Sequence, residues 1–316
     1  MKNVVEVKNL VKHFEVKSGL FSSTTNIVKA VDGISFDIEK GESLGLVGQS
    51  GCGKTTTARL LTLLDEKTSG DIRYFDNKLN SLTSLDSLEE GDIQNFRSQV
   101  QMIFQDPYES LNPRWTIKNI ITEPLNIHNL GSETDRNEAA ILMLTTVGLT
   151  PPDNYLDRYP HELSGGQRQR VSIARALIMK PSFVICDEPT SMLDVSIRIS
   201  IMDLMLDLAK DLGVSYLYIT HDLAVARYMC DRIAVMFNGS ILEISDTEEL
   251  LNNPIHPYTK RLLSSIPVPD PTYKRKKYNL DFDEINEIIE SSSDVDMIEV
   301  KKGHFISTKD FSNELN

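Results

Sequence analysis

Cysteine is scarce in this sequence. Only three cysteines occur in 316 residues, Cys52, Cys186 and Cys230. Their odd number and wide spacing fit neither a disulfide framework nor a zinc-binding pattern. We therefore expect three reduced thiols, as in a cytosolic protein.

Long apolar stretches are also missing. No run of 18 or more apolar residues occurs, so the sequence predicts no transmembrane helix. Residues 1–6 lack the apolar core of a secretory signal, and we expect the chain to stay in the cytoplasm.

Basic residues are outnumbered by acidic ones, 33 against 46, which gives a formal net charge of −13. This balance argues against a broad nucleic-acid-binding face, and we predict no nucleic-acid partner. The hydrophobic content of 40% is ordinary for a globular protein, and a chain of this length can bury a large core.

Short apolar runs alternate with helical patterns along the chain. The predicted strands are residues 34–38, 43–47, 100–104, 183–186, 216–219 and 233–237. The predicted helices are residues 54–64, 167–179 and 197–212. This alternation predicts an α/β fold with a mostly parallel sheet and helices on both faces. Ligands bind to such sheets at the carboxyl ends of the strands.

Two segments depart from this alternation. Residues 117–147 read as a helical insert, with Ser132 or Thr134 as a helix N-cap. From residue 266 the chain becomes proline-rich, then basic, then acidic and serine-rich. We interpret this last part as a peripheral extension that is partly ordered at best.

A glycine-rich segment between a predicted strand and a predicted helix fits the pattern G-x-x-x-x-G-K-[ST]. Its glycines let the backbone N–H groups turn toward phosphates, and the helix adds its positive N-terminal end. Lys54 supplies a point charge, and the Thr55 hydroxyl is a Mg²⁺ ligand. The predicted ATP-binding residues of this segment are Gly48, Gln49, Ser50, Gly51, Cys52, Gly53, Lys54, Thr55 and Thr56.

The apolar strand at residues 183–186 ends in two acids. In this architecture they lie beside the phosphate loop, where Asp187 would bind Mg²⁺ and Glu188 would polarise an attacking water. A pair of helix N-cap acids is the competing interpretation, and the phosphate loop in the same chain disfavours it.

Residues 163–170 read LSGGQRQR. This segment resembles the signature motif of the ABC ATPases. A serine and two glycines before a helix form a second anion-binding helix N-terminus. The resemblance implies that Ser164, Gly165, Gly166 and Gln167 act on the ATP held by a partner subunit.

The other motifs of the ABC ATPases follow in family order over about residues 3–265. Gln105 resembles the Q-loop glutamine, implied to contact Mg²⁺ and the attacking water. Asp194 ends a D-loop in which Met192 replaces the common alanine. His221 resembles the switch histidine that contacts the γ-phosphate, and Phe14 the aromatic that stacks on adenine. The implied catalytic residues are thus Glu188, His221 and Gln105, and the implied Mg²⁺ ligands are Thr55, Gln105 and Asp187.

The resemblance also implies an architecture. It is a P-loop NTPase of the ABC type, with a mostly parallel core sheet, an antiparallel N-terminal β-subdomain and a helical subdomain insert. The ATP-binding domain spans residues 1–265, with the helical subdomain at about 106–165, and residues 266–316 form a C-terminal extension.

Within the family, residues 104–114 and 253–263 resemble importers of dipeptides and oligopeptides. Residues 264–271 and 297–305 resemble the F-type ATPase subunit of oligopeptide importers more than its D-type partner. Many subunits of this group carry a C-terminal cysteine cluster that binds iron and sulfur in some. That cluster is absent here, so we predict ATP and Mg²⁺ as cofactors and no iron–sulfur cluster.

The implied partners are a second, D-type ATPase subunit that forms a heterodimer, two membrane-spanning permease subunits and an extracellular substrate-binding protein. The implied location is peripheral, on the cytoplasmic face of the cell membrane. Lys54, Glu188, His221 and the full signature are all present. We therefore expect both composite sites that this chain helps to form to be competent.

Three alternatives compete with an oligopeptide importer: a soluble ATPase of DNA repair or translation, an exporter, and an importer of another solute. DNA-repair members of the family insert a long coiled coil between Q-loop and signature, whereas only a short segment separates Gln105 from Ser164 here. Translation members usually carry two ATPase domains, and exporters are often fused to a membrane domain. Import of dipeptides, nickel or another small solute stays open.

Overall fold

The computed structural model describes residues 3–17, 25–264 and 297–307. Within these ranges the strands are β1 Asn3–Lys17, β2 Thr25–Glu39, β3 Ser43–Val47, β4 Ser69–Asp76, β5 Ser81–Ser84, β6 Val100–Ile103, β7 Phe183–Asp187, β8 Ser215–Thr220, β9 Arg232–Phe237, β10 Ser240–Asp246, β11 Met297–Lys301 and β12 His304–Ser307. None of the helices in the described ranges is both long and apolar enough to cross a membrane.

The helices in the same ranges are α1 Lys54–Leu61, α2 Glu90–Gln99, α3 Pro107–Ser110, α4 Ile117–Ile127, α5 Glu133–Thr146, α6 Asp153–Leu156, α7 Gly165–Leu177, α8 Val195–Leu212, α9 Leu223–Met229, α10 Thr247–Asn252 and α11 Pro257–Ser264. Every strand and helix predicted from the sequence is present, with ends shifted by a few residues except for the first strand. That strand, predicted at 34–38, is the last third of the longer β2.

The described strands form two sheets. The larger has the order β11-β12-β10-β9-β3-β8-β7-β6, and the pairs from β9 to β6 are parallel. The pairs that join β9, β10, β12 and β11 are antiparallel. The smaller sheet has the order β2-β1-β4-β5 and is antiparallel throughout. Both the mostly parallel core sheet and the antiparallel N-terminal sheet are as predicted.

A hydrophobic core covers each face of the large sheet, and successive residues along its strands point alternately into one core and the other. On β7, Val184 and Cys186 face one core with α7, α8 and α9. Phe183 and Ile185 face the other, with α1, α2 and the antiparallel sheet. A strand covered on both faces reads as a continuous apolar run, which explains why β3, β7 and β8 were visible in the sequence.

The helical insert is built from several helices rather than one. Helix α4 ends at Ile127 and α5 starts after Ser132, whose hydroxyl caps the Asp135 N–H while Asp135 caps Ser132 in return. Of the two predicted N-caps, Ser132 is the correct one. Helices α4 and α5 both pack on α7, so the insert contacts the helix that begins within the signature.

Strands β11 and β12 were not predicted as strands. They extend the antiparallel edge of the large sheet, where β12 pairs with β10 through Ile306 and Phe305. The remaining residues of the predicted extension, 266–296 and 308–316, lie outside the described residues, and the predicted domain boundary at 265 stays a prediction.

Candidate functional site

The phosphate loop connects β3 to α1 at the carboxyl edge of the large sheet. Strand β3 is fully buried between β8 and β9, which fixes where the loop starts. A Cβ atom on Gly48 would lie 2.2 Å from the Met236 carbonyl oxygen, and one on Gly53 would lie 2.1 Å from the Ala30 oxygen. Both positions therefore require glycine, and the predicted loop has the close approaches that its glycines suggested.

Lys54 is folded back onto the loop that precedes it. Its side chain is buried, and its ammonium group donates to the carbonyl oxygens of Gly48 at 2.7 Å and Gln49 at 2.9 Å. A buried ammonium group needs such partners, and phosphate oxygens are stronger acceptors than carbonyls. The loop thus holds the positive charge where an anion would arrive.

Asp187 ends β7 and is only 5% exposed. Burial raises the pKa of its carboxyl group, and the adjacent Glu188 acts in the same direction. A hydrogen bond from the Thr55 hydroxyl and the charge of Lys54 oppose that rise in pKa. A carboxylate and a hydroxyl are thereby placed side by side next to the phosphate loop, and two hard oxygen donors fit a Mg²⁺ ion.

Glu188 and His221 meet at the ends of two neighbouring strands. Glu188 follows β7 and has a φ of 45°, a left-handed conformation that non-glycine residues adopt rarely. Its N–H donates to the Ile219 carbonyl at 3.0 Å, and its carboxylate accepts from His221 Nδ1 at 2.9 Å. These contacts hold the Glu188 carboxylate beside His221 at the ends of β7 and β8.

These groups share one open cleft of about 1360 Å³. The predicted site residues that line it are Gln49, Ser50, Gly51, Gly53, Lys54, Thr55, Thr56, Gln105, Glu188 and His221. Gly48 and Cys52 of the loop and Asp187 at the end of β7 are buried and do not line the cleft. The Cys52 thiol is free, and burial raises its pKa. The cleft thus brings together predicted site residues from four separate parts of the chain.

Phe14 is not among the residues that line the cleft. It lies on β1 directly opposite Val28, which does line it, and the Lys12 ammonium group is 4.7 Å from the Phe14 ring centroid. The structure thus places Phe14 one strand away from the cleft wall, and the adenine role stays a prediction.

Several lining residues were missed by sequence reasoning. Ile27, Val28 and Lys29 belong to the first half of β2, where Ile27 and Val28 are at least half exposed. Asn238 and Gly239 form the turn between β9 and β10, and Leu262 comes from α11. Two exposed apolar residues at the start of an alternating strand were the available signal for β2, whereas nothing local in the sequence points to Leu262.

The signature residues lie elsewhere. Ser164 is the exposed N-cap of α7, and its hydroxyl and the Gln167 side chain cap each other's backbone N–H groups. Gly166 is buried, and a Cβ atom there would lie 2.6 Å from Ile197 Cγ2 of α8. Among the residues that the structure describes, the four signature residues do not line the cleft. The exposed Asp194 at the start of α8 does not line it either. The phosphate loop and the signature thus lie at separate places on the chain, and the role of the signature on a partner's ATP stays a prediction.

Comparisons with known proteins agree with this geometry. The chain matches a family model described as ABC transporter over residues 31–191. It also matches a model described as oligopeptide/dipeptide transporter, C-terminal region, over residues 242–287. It is 46% identical over 306 residues to the oligopeptide transport ATP-binding protein OppF of Bacillus subtilis, which covers 96% of each chain.

Two further relatives are similar over the same length. The oligopeptide transport ATP-binding protein AmiF of Streptococcus pneumoniae is 44% identical, with 96% of this chain and 94% of AmiF covered. The glutathione import ATP-binding protein GsiA of Pectobacterium atrosepticum is 42% identical. That match covers 96% of this chain and 48% of GsiA.

Among solved structures, the dimeric post-hydrolysis state of the ATP-binding cassette MJ0796 bound to ADP and Pi is similar, with a TM-score of 0.66 and 29% identity. The match covers 77% of this chain and 98% of that one. The predicted fold is confirmed.

Proposed function

The chain belongs to the ABC transporter family, and from this premise we propose that it is the subunit that binds and hydrolyses ATP to energise oligopeptide import. The observation that carries the activity is the gathering of Lys54, Glu188 and His221 in one cleft. The identity to oligopeptide transport ATP-binding proteins and the match of residues 242–287 support the cargo class.

Phosphate binding follows from the loop and from Lys54. The N–H groups of the loop and the N-terminus of α1 attract the phosphates. Lys54 then exchanges the carbonyls of Gly48 and Gln49 for phosphate oxygens. Its charge is positioned beside the loop before the nucleotide arrives.

Thr55 and Asp187 would hold a Mg²⁺ ion, with Gln105 as a third ligand from across the cleft. Mg²⁺ would neutralise negative charge on the phosphate oxygens. A carboxylate and a hydroxyl are hard oxygen donors, which would suit a Mg²⁺ ion bound together with a nucleotide.

Glu188 is the base that accepts a proton from the attacking water. His221 donates a hydrogen bond to its carboxylate at 2.9 Å and so fixes the direction of the free oxygen. The exposed side chain of His221 beside Glu188 supports a second role for it, contact with the γ-phosphate. A positioned general base contributes roughly 10²–10⁴-fold to a rate.

The complete machine needs other subunits. We propose that Ser164–Gln167 cap the ATP of a second, D-type ATPase subunit, and that this chain's ATP is capped by that subunit in return. The dimeric cassette with similar fold supports such a pair. Two permease subunits and an extracellular binding protein complete the importer, with this chain on the cytoplasmic face of the membrane.

The cargo is tested by uptake in cells that carry Glu188→Gln in the otherwise intact transporter. A labelled tripeptide and nickel are followed in parallel, and the matched control is Glu138→Gln, which changes an exposed glutamate on α5. We expect tripeptide uptake to fall by about 10²-fold or more, because the neutral amide cannot take the proton. Nickel uptake and the control variant should stay at the wild-type level.

Peptide uptake at the wild-type rate in the Glu188→Gln cells would contradict the proposal. A fall in nickel uptake with unchanged peptide uptake would keep the ATPase role of the chain and replace the cargo.

A further inference from the structure

Helix α11 places Tyr258 under the phosphate loop. Tyr258 is 3% exposed, and its ring packs against Phe237 with 4.6 Å between centroids. Burial raises the pKa of its hydroxyl, whereas the Gln49 backbone acts in the opposite direction. One turn later on the same helix, Leu262 lines the nucleotide cleft itself. A segment from beyond the predicted catalytic motifs thus forms part of the support of the ATP site.

The Tyr258 hydroxyl is buried and has no hydrogen-bond partner of normal geometry within the described part of the chain. Burying an unpaired hydroxyl is unfavourable, and phenylalanine would fill the same space without that cost. The hydroxyl is therefore suited to a partner that comes within reach in another state of the loop.

Gln49 is that partner. In this structure its carbonyl accepts a hydrogen bond from the Lys54 ammonium group at 2.9 Å. When nucleotide phosphates draw Lys54 away, the loop at Gln49 loses this contact. We propose that Tyr258 is a positioning residue of the phosphate loop, whose hydroxyl accepts a hydrogen bond from the Gln49 N–H and holds the loop in its nucleotide-bound shape.

A buried network holds Tyr258 in place. His256 Nδ1 accepts from the Tyr258 N–H at 3.1 Å, and the His256 N–H donates to Glu243 on β10 at 3.1 Å. Glu243 is completely buried and also accepts from the Ile255 N–H at 2.8 Å. Its remaining donor is His304 Nε2 of β12 at 2.7 Å, and His304 is 1% exposed.

The path from His304 through Glu243 and His256 to Tyr258 connects the C-terminal strands to the ATP site. Removing the His304 donor leaves a buried carboxylate short of a partner, which disturbs the start of α11 because Glu243 orders that turn. The C-terminal strands β11 and β12 therefore support nucleotide binding from a distance. This inference rests on the proposed function only in that the chain binds ATP.

The first test is Tyr258→Phe in the full-length chain, with affinity measured for a fluorescent ATP analogue with Mg²⁺. Loss of one hydrogen bond should weaken binding about two- to tenfold. In the assembled transporter, KM for ATP should rise by the same factor with little change in kcat. Thr259→Val is the matched control, because it removes another buried, unpartnered hydroxyl that points in a different direction from the same helix. Equal affinities for wild type and Tyr258→Phe would overturn the proposal.

The second test compares His304→Leu with His304→Gln. Leucine cannot donate to Glu243, so ATP affinity should fall about two- to tenfold; glutamine has an NH₂ donor and should retain most of it. The unfolding midpoint is measured for both variants. If His304→Leu lowers that midpoint but leaves ATP affinity unchanged, the network is structural only and the proposal fails. Because affinity is read without any cargo, failure of the peptide-import proposal would leave this result intact.

Discussion

Gly53 lies where the phosphate loop passes closest to β2. Its φ is +110°, and a Cβ atom would lie 2.1 Å from the Ala30 carbonyl oxygen. Gly53→Ala therefore combines an unfavourable backbone conformation, worth roughly 1–2 kcal/mol, with a collision against backbone that cannot move aside. We expect the free energy of unfolding to fall by more than about 2 kcal/mol and Mg-ATP binding to be lost. Urea unfolding and nucleotide titration measure the two effects.

Gly41 provides the matched control for this substitution. Its φ of +80° is also left-handed, but a Cβ atom there meets nothing within 4 Å, and the residue lies outside the cleft. Gly41→Ala should cost roughly 1–2 kcal/mol for the conformation alone and leave Mg-ATP binding unchanged. Equal losses of stability in the two variants would show that the contact of the added Cβ atom with the Ala30 carbonyl oxygen does not destabilise Gly53→Ala.

At the scale of elements, the start of α11 depends on a neutral histidine. His256 Nδ1 accepts the Tyr258 N–H, which it can do only without a proton on that nitrogen. Burial lowers the pKa of His256 to about 4. The unfolded chain therefore binds more protons than the folded chain between about pH 6.5 and pH 4. The stabilising contribution is complete above pH 6.5 and is lost as the pH falls toward 4.

His256→Asn tests this contribution, since an asparagine oxygen can cap the helix but does not titrate. From about pH 7 to pH 4, the free energy of unfolding should fall less in His256→Asn than in the wild type. The difference between the two falls should reach up to about 3 kcal/mol. Urea unfolding at several pH values gives both curves. Parallel curves would mean that His256 is not held neutral by burial.

Elements differ in how well the sequence predicts them, for physical reasons. β3, β7 and β8 are buried on both faces, so their continuous apolar runs were readable, and the phosphate loop followed from its place between β3 and α1. Strands β11 and β12, at one end of the sheet, are short and mix apolar with polar residues. β12 is joined to β10 by backbone pairing and by the contact of His304 with Glu243, which lies far away in the chain, and no local pattern reveals such a contact. Leu262 and Tyr258 were not predicted for the same reason, because their contacts are with residues far away in the chain.

At the scale of the whole molecule, the phosphate loop and the signature lie at different places. The phosphate loop lies in the cleft, whereas Ser164, at the N-terminus of α7, is exposed outside it. On our proposal, a dimer brings one chain's signature to the other chain's cleft; the similar cassette bound to ADP and Pi is dimeric. A substitution at Gly165 distinguishes this arrangement from one in which a single chain is sufficient to hydrolyse ATP.

A Cβ atom on Gly165 would make only an ordinary contact, 3.6 Å from Leu193 Cδ2, so Gly165→Ala should fold normally. Because its own cleft is untouched, we expect the isolated chain to bind Mg-ATP with unchanged affinity. In the assembled transporter, ATP hydrolysis should fall about tenfold or more, since the methyl group obstructs the helix N-terminus that receives the partner's phosphates. Gly91→Ala, at an exposed helical position with open space around it, is the control and should alter neither quantity. A loss of ATP affinity in the isolated Gly165→Ala chain would instead place the signature at this chain's own nucleotide.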